Sequence, residues 1–200
     1  MNFRMKYSKE EIKELFKSWF VISLIFTIAF KGLTLDPSAI FTFGISAFTV
    51  GLGFILHELA HKYLAQKYGC WAEFRAHNRL LLFGLILSIF GLVLVAPGGV
   101  YIKGYVTKRK HGHIALAGPV MNFLLGGIFL LIWLFIPVQI FSTISLVGMK
   151  INFLLGAFNM IPFPIFDGYK VMKWNKTIYW IIFIIARVLG LFALKGGINF

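Results

Sequence analysis

With 59% of its 200 residues hydrophobic, 14% charged and a mean hydropathy of +0.84, this chain carries more apolar surface than a water-soluble fold can cover, and it reads as a polytopic membrane protein in contact with the lipid bilayer. Its formal charge of +13 fits cytoplasmic loops that obey the positive-inside rule; no basic domain stands apart from the apolar segments, so no nucleic-acid partner is expected. Cys70 is the single cysteine, which excludes a disulfide framework.

In chain order, Ser8-Lys9-Glu10-Glu11 has the pattern of a capping box, Ser8 accepting from the Glu11 amide while Glu11 reaches back to Ser8. It opens a charged segment, residues 1–18, in which Ile12, Leu15 and Phe16 recur at helical spacing among Lys9, Lys13 and Lys17. That segment reads either as a cytoplasmic amphipathic helix lying on the membrane surface or as a charged extension of the first span. No cleavable signal is evident, since the apolar stretch begins only near Trp19. A first crossing is expected over about 19–33, ended by Leu35-Asp36-Pro37, and a second from about 38 to 67. Arg4, Lys6 and Lys9 precede the first, and Lys67, Arg75 and Arg79 follow the second, so both ends are expected to be cytoplasmic.

The second apolar stretch contains His57-Glu58-Leu59-Ala60-His61. Histidines four apart share one face of an α-helix at a spacing that lets both hold one metal ion. This is the H-E-x-x-H arrangement, in which two histidines bind zinc and the glutamate is the general base. An ionisable residue in a membrane-buried helix costs roughly 2.5–3.5 kcal/mol, so three within five positions imply a ligand or a wet cavity.

The next apolar stretch, 80–96, is flanked by Arg75 and Arg79 on one side and Lys103 and Lys108-Arg109-Lys110 on the other. Positive charge on both flanks favours an element that dips into the membrane and returns over an ordinary crossing, with Gly84, Gly91 and Pro97-Gly98-Gly99 permitting the turns. A span beginning at Ile114 follows, with Ala117-Gly118-Pro119, Asn122, Gly126 and Gly127 as small or polar residues that let a neighbouring helix approach closely. Another, from Val138 to about Met160, carries Lys150, which is expected to snorkel outward, and Asn152. It leads through Asn159 and Pro162 to Asp167-Gly168, after which Lys170, Lys173 and Lys176 mark the cytoplasmic face. A last crossing over 179–194 contains Arg187. The expected fold is an all-α polytopic membrane protein with about five transmembrane helices, a re-entrant or β-like element between the second and third, Met1 inside and Phe200 outside.

Two histidines do not complete a zinc site, which takes three protein ligands and an open position. Asp167, His77, His111, His113 and Glu73 are the candidates for the third. Asp167 is favoured because it alone is attached to the end of a span on the side where His57 and His61 lie; the others sit in basic loops.

The set His57-Glu58-Leu59-Ala60-His61, Ala117-Gly118-Pro119 with Asn122, and Asn159-Met160-Ile161-Pro162 leading to Asp167-Gly168 resembles the site-2 protease family of intramembrane zinc metalloproteases. The resemblance implies an intramembrane metalloprotease domain over 19–200, its core at about 51–168. It assigns His57, His61 and Asp167 as zinc ligands, Glu58 as the catalytic glutamate and Asn159 as a contact to the substrate backbone. It implies single-span membrane proteins as substrates, cut within or beside their apolar segment after an earlier trimming of the outer domain, with the active site toward the cytoplasmic side of the cell membrane. Phe166 stands where family members often have leucine. The stretch 80–96 corresponds in place to the family's membrane-dipping β-element, and the glycines at its end, Gly98 and Gly99, offer an edge to which a substrate strand can add. Two other readings of the same residues are a membrane metal transporter and an inactive relative that binds membrane helices without cutting them.

Overall fold

The computed structural model describes residues 4–34, 36–93 and 97–195; Leu35, the end of the 80–96 stretch and Phe200, on which parts of the expected topology rest, lie outside them. Helix α1 (Lys9–Lys31) starts where Ser8 accepts from the Glu11 amide at 3.1 Å, with Glu10 and Glu11 at the positive end of the helix dipole. Only half of the expected capping box forms. The Glu11 carboxylate turns away from Ser8, accepts from the Phe74 amide at 2.9 Å and pairs with the Lys62 ammonium. Both partners are buried, and a buried amide or ammonium binds a carboxylate more strongly than a hydrated cap position does. The helix runs without a break at residue 18, and Leu15, Ile22, Ile25 and Ile28 form its buried stripe.

Asp36 caps the next helical run, accepting from the Ala39 amide at 3.0 Å ahead of Pro37. That run comprises α2 (Pro37–Ser46), a π-helical turn (Ala47–Gly51) and α3 (Leu52–Lys67). A π-turn shifts the carbonyls out of the ordinary ladder. Two of them take side-chain donors from neighbouring helices: the Ala47 carbonyl from Trp19 Nε1 at 3.0 Å and the Thr49 carbonyl from Asn152 Nδ2 at 3.4 Å.

Strand β1 (Trp71–Ala76) and strand β2 (Gly98–Lys103) pair antiparallel, Trp71 with Lys103 and Ala76 with Gly98, and helix α4 (Asn78–Ile89) lies in the chain between them. The outer edge of β1 is closed by side chains. Besides the Phe74 amide on Glu11, the Ala76 amide donates to Glu14 at 2.6 Å, and Gln66 donates to the Ala72 carbonyl at 3.1 Å. Glu11 and Glu14, three apart on α1, present two acceptors along one strand edge.

Helix α5 (Lys108–Phe135), capped by Thr107, packs along α6 (Gln139–Asn159). Phe153 of α6 seats against Gly126, the close approach expected from the small residues of α5. A short α7 (Asp167–Trp174) then leads into α8 (Lys176–Leu194), whose Tyr179 hydroxyl donates to the Met160 carbonyl at 3.3 Å. Lys150 does not snorkel. It is buried in α6 and donates to the Lys195 carbonyl at 3.0 Å, because the end of α8 lies against that part of α6. Arg187 is exposed on α8, its guanidinium 5.9 Å from the Phe183 ring.

Among the described residues, four helices are long and apolar enough to cross a membrane: Pro37–Lys67, α5, α6 and α8. The protein is an integral membrane protein by that measure. The apolar part of α1, between Lys17 and Lys31, and the 12-residue α4 are shorter than such a helix.

Candidate metal centre

Three polar side chains meet in the middle of this apolar assembly. His57 and His61 project from α3 with their Nε2 atoms 3.0 Å apart. Asp167, the first residue of α7, places Oδ2 at 3.3 Å from the first and 3.0 Å from the second. All three are more than nine-tenths buried. The helix end that carries Asp167 is brought in by Gly168, whose Cα sits so close to the Met160 main chain that a Cβ would overlap it. On the opposite side Gly118 of α5 faces both imidazoles, and a Cβ there would overlap the two Nε2 atoms.

The remaining ring nitrogens fix the tautomers. His57 Nδ1 lies 2.6 Å from Asn122 Oδ1, and His61 Nδ1 lies 2.7 Å from the Ile114 carbonyl. A carbonyl oxygen only accepts, so each Nδ1 carries the proton and each Nε2 presents a lone pair inward. Two imidazole lone pairs and a carboxylate oxygen then converge, all within 4.8 Å of one another. Three acceptors do not stabilise one another without a cation between them. Lys170 holds the other Asp167 oxygen, Oδ1, at 3.0 Å, which leaves Oδ2 as the inward ligand atom.

Glu58, beside His57 on α3, is buried, and its Oε2 has no hydrogen-bond partner among the described residues. It stands where two cavities meet. One, of about 160 Å³, is walled by Phe26, Phe54, Leu155, Phe158 and Phe166; the other, of about 180 Å³, by Val100, His111, Asp167 and Lys170. His57, Glu58, Gly98 and Asn159 line both, and Gly99 lines the second. The Asn159 side chain donates to the Leu155 carbonyl at 2.9 Å within its own helix. Since the Phe74 and Ala76 amides face α1, the bonds between the strands are made by Glu73 with Tyr101 and by Arg75 with Gly99. The main-chain groups of Gly98, Val100 and Ile102 therefore point away from β1, and all three residues line the cavity beside Glu58.

The other candidates for third ligand are engaged elsewhere. His113 Nδ1 shares a hydrogen bond of 2.8 Å with the Tyr68 hydroxyl and its ring packs on Trp174, Glu73 pairs with Arg75 at 2.6 Å, and the His77 ring lies tilted beside Tyr101. His111 lines the polar cavity outside the cluster. Sequence reasoning singled out Asn122 as part of a motif and missed its hydrogen bond to His57; the signal was an amide in an otherwise apolar helix. It read Lys170 only as a mark of the cytoplasmic face and missed its pairing with Asp167, although the three-residue spacing on a helix was legible.

This chain is 44% identical over 180 residues, 88% of its own length and 91% of the relative's, to a protein of Methanocaldococcus jannaschii named "Putative zinc metalloprotease". It belongs to that zinc metalloprotease family. A second protein of that organism, named "Zinc metalloprotease", is 28% identical over 75% of this chain and 39% of its own. A Bacillus subtilis protein named "Putative zinc metalloprotease" is 30% identical over 62% of this chain and 66% of its own. No protein-family model matches the chain, and no solved structure does. The donor set of this metalloprotease, two neutral imidazoles and one carboxylate, suits zinc, and His57, His61 and Asp167 are positioned to hold it.

Proposed function

We propose that this metalloprotease is an intramembrane endopeptidase of the site-2 type, hydrolysing peptide bonds within or beside the membrane segments of single-span proteins. The observation that carries this reading is the place of Glu58: a buried carboxylate with one unpartnered oxygen next to a metal-binding group, inside helices long enough to span a bilayer, at the junction of an apolar and a polar cavity. The apolar cavity suits a substrate side chain arriving from lipid, and the polar one suits water.

Bound at His57, His61 and Asp167, zinc supplies Lewis acidity that lowers the pKa of water and polarises a carbonyl. The chain's own residues do the rest. Glu58 accepts a proton from the attacking water and passes it to the leaving amine, a role open to its unpartnered oxygen Oε2. A transmembrane helix keeps its carbonyls in internal bonds, so the substrate has to be extended locally. The main-chain groups of Gly98, Val100 and Ile102, turned away from β1, offer such a strand an edge on the cavity side, and Asn159 at the cavity wall is placed to donate to its backbone.

In this reading the active site faces the cytoplasm, the chain crosses five times, and 80–96 is re-entrant. The pairing of Ala76 with Gly98 supports the last point, since an excursion whose two ends are bonded neighbours returns to the side it left. A single cysteine at Thr107, in a chain lacking Cys70, is expected to resist a membrane-impermeant thiol reagent applied to intact cells; labelling from outside would overturn the topology. For the chemistry, Glu58→Gln is expected to stop cleavage, by a factor of about 10² to 10⁴, and to retain zinc. Membranes containing that variant should accumulate truncated single-span proteins. Unchanged membrane proteomes, or zinc flux that survives the substitution, would refute proteolysis in favour of transport.

A further inference from the structure

The orientation of His57 depends on Asn122, and that of Asn122 depends on a residue of α6 that touches neither ligand nor cavity. Asn122 Nδ2 donates to the Gly53 carbonyl at 3.3 Å and to Asn152 Oδ1 at 3.1 Å, which obliges Oδ1 to face His57. Asn152 is itself held one way round: its Nδ2 donates to the Gly148 carbonyl at 2.8 Å and to the Thr49 carbonyl of the π-turn at 3.4 Å. Carbonyl oxygens cannot donate, so neither amide can flip without setting acceptor against acceptor. Asn122 and Asn152 are fully buried, where such a mismatch is least tolerated. Gly53 is the space that admits this contact, since a Cβ there would overlap Asn152 Oδ1.

We infer that Asn152 is a positioning residue of the metal centre, transmitting donor–acceptor polarity from the π-turn through Asn122 to His57 and so keeping the His57 Nε2 lone pair turned toward the metal. The inference rests on the metal group alone and stands apart from proteolysis, because it is read in metal affinity without substrate.

The test uses the full chain in detergent, with zinc affinity measured by competition with a chromophoric chelator and the unfolding temperature of the metal-free protein measured in parallel. Asn152→Leu removes the acceptor for Asn122 and is expected to weaken zinc binding about 10- to 100-fold, the range seen when an outer-shell partner of a metal histidine is lost. Asn152→Asp, protonated in this setting, keeps an acceptor for Asn122 and one donor for a backbone carbonyl; it is expected to restore zinc affinity close to the parent while still lowering the metal-free unfolding temperature. In the cobalt-substituted protein, Asn152→Leu should shift the visible d–d bands and Asn152→Asp should not. If the leucine variant does not fold, Asn152→Ser, too short to reach Asn122, carries the same expectations. Parent-like zinc affinity in the leucine or serine variant, or equal loss in the aspartate variant, overturns the inference.

Discussion

His61 and Lys62 are neighbours on α3 that enter two different buried polar clusters. Lys62 turns toward α1, where it pairs with Glu11 and lies 3.9 Å from the centre of the Tyr7 ring; the other Glu11 oxygen takes the Phe74 amide. Every charge there has an opposite charge or a donor. His61 turns toward α5 and joins His57 and Asp167 in a cluster whose inward atoms are all acceptors, beside a Glu58 oxygen that has no partner. The first cluster is complete in itself and ties α1, α3 and β1 together. The second is balanced only by a cation and leaves Glu58 Oε2 without a partner among the described residues. Burial and charge are similar in the two, so what separates a structural cluster from a chemical one here is whether donors and acceptors balance without a guest.

The largest effect expected from this contrast is on metal content. His57→Ala, His61→Ala and Asp167→Ala should each take zinc from about one per chain to near none, measured by elemental analysis of purified protein, whereas Lys62→Met should leave it in place. Retention of zinc in Asp167→Ala would remove Asp167 from the ligand set.

Next in size is the cost of unbalancing the complete cluster. Lys62→Met leaves Glu11 buried without its counter-charge and should destabilise the protein by about 3–5 kcal/mol in equilibrium unfolding. Adding Glu11→Gln, which keeps an acceptor for the Phe74 amide, should recover much of that loss. A double variant no better than the single one would mean that the pair acts through something other than mutual charge.

The smallest effect concerns Glu14, which caps β1 beside that cluster. Burial pushes its carboxyl up, but the Ala76 amide and Lys17 outweigh this and lower its pKa. The stability this carboxylate contributes is present above the unfolded-state value and is lost as pH falls through the folded one. The difference in unfolding temperature between the parent and Glu14→Gln should accordingly be modest at neutral pH and shrink in acid; a difference that grows in acid would contradict the assignment.

Much of the chemistry was legible along the chain. The four-residue spacing of His57 and His61 determined by itself that both share one helical face, and the apolar residues around them that they needed a guest. Periodicity gave the long helices, and the charge on either side of 80–96 gave the reason for proposing that the chain returns there. The capping box at Ser8 was half right, because a local pattern describes which partners are near in sequence and not which are better. The carboxylate of Glu11 found Phe74 and Lys62 more than fifty residues away. Lys150 was misread for the same reason: its surroundings are set by the end of α8. Asp167 was favoured over His77, His111, His113 and Glu73 from its place at the end of a span, but its meeting with His57 and His61, the tautomers set by Asn122 and the Ile114 carbonyl, and the closing of the outer edge of β1 by side chains are decisions of the tertiary structure. Helical and strand periods are properties of neighbouring residues, whereas hydrogen-bond balance in a buried site is counted over side chains that only the packed helices bring together.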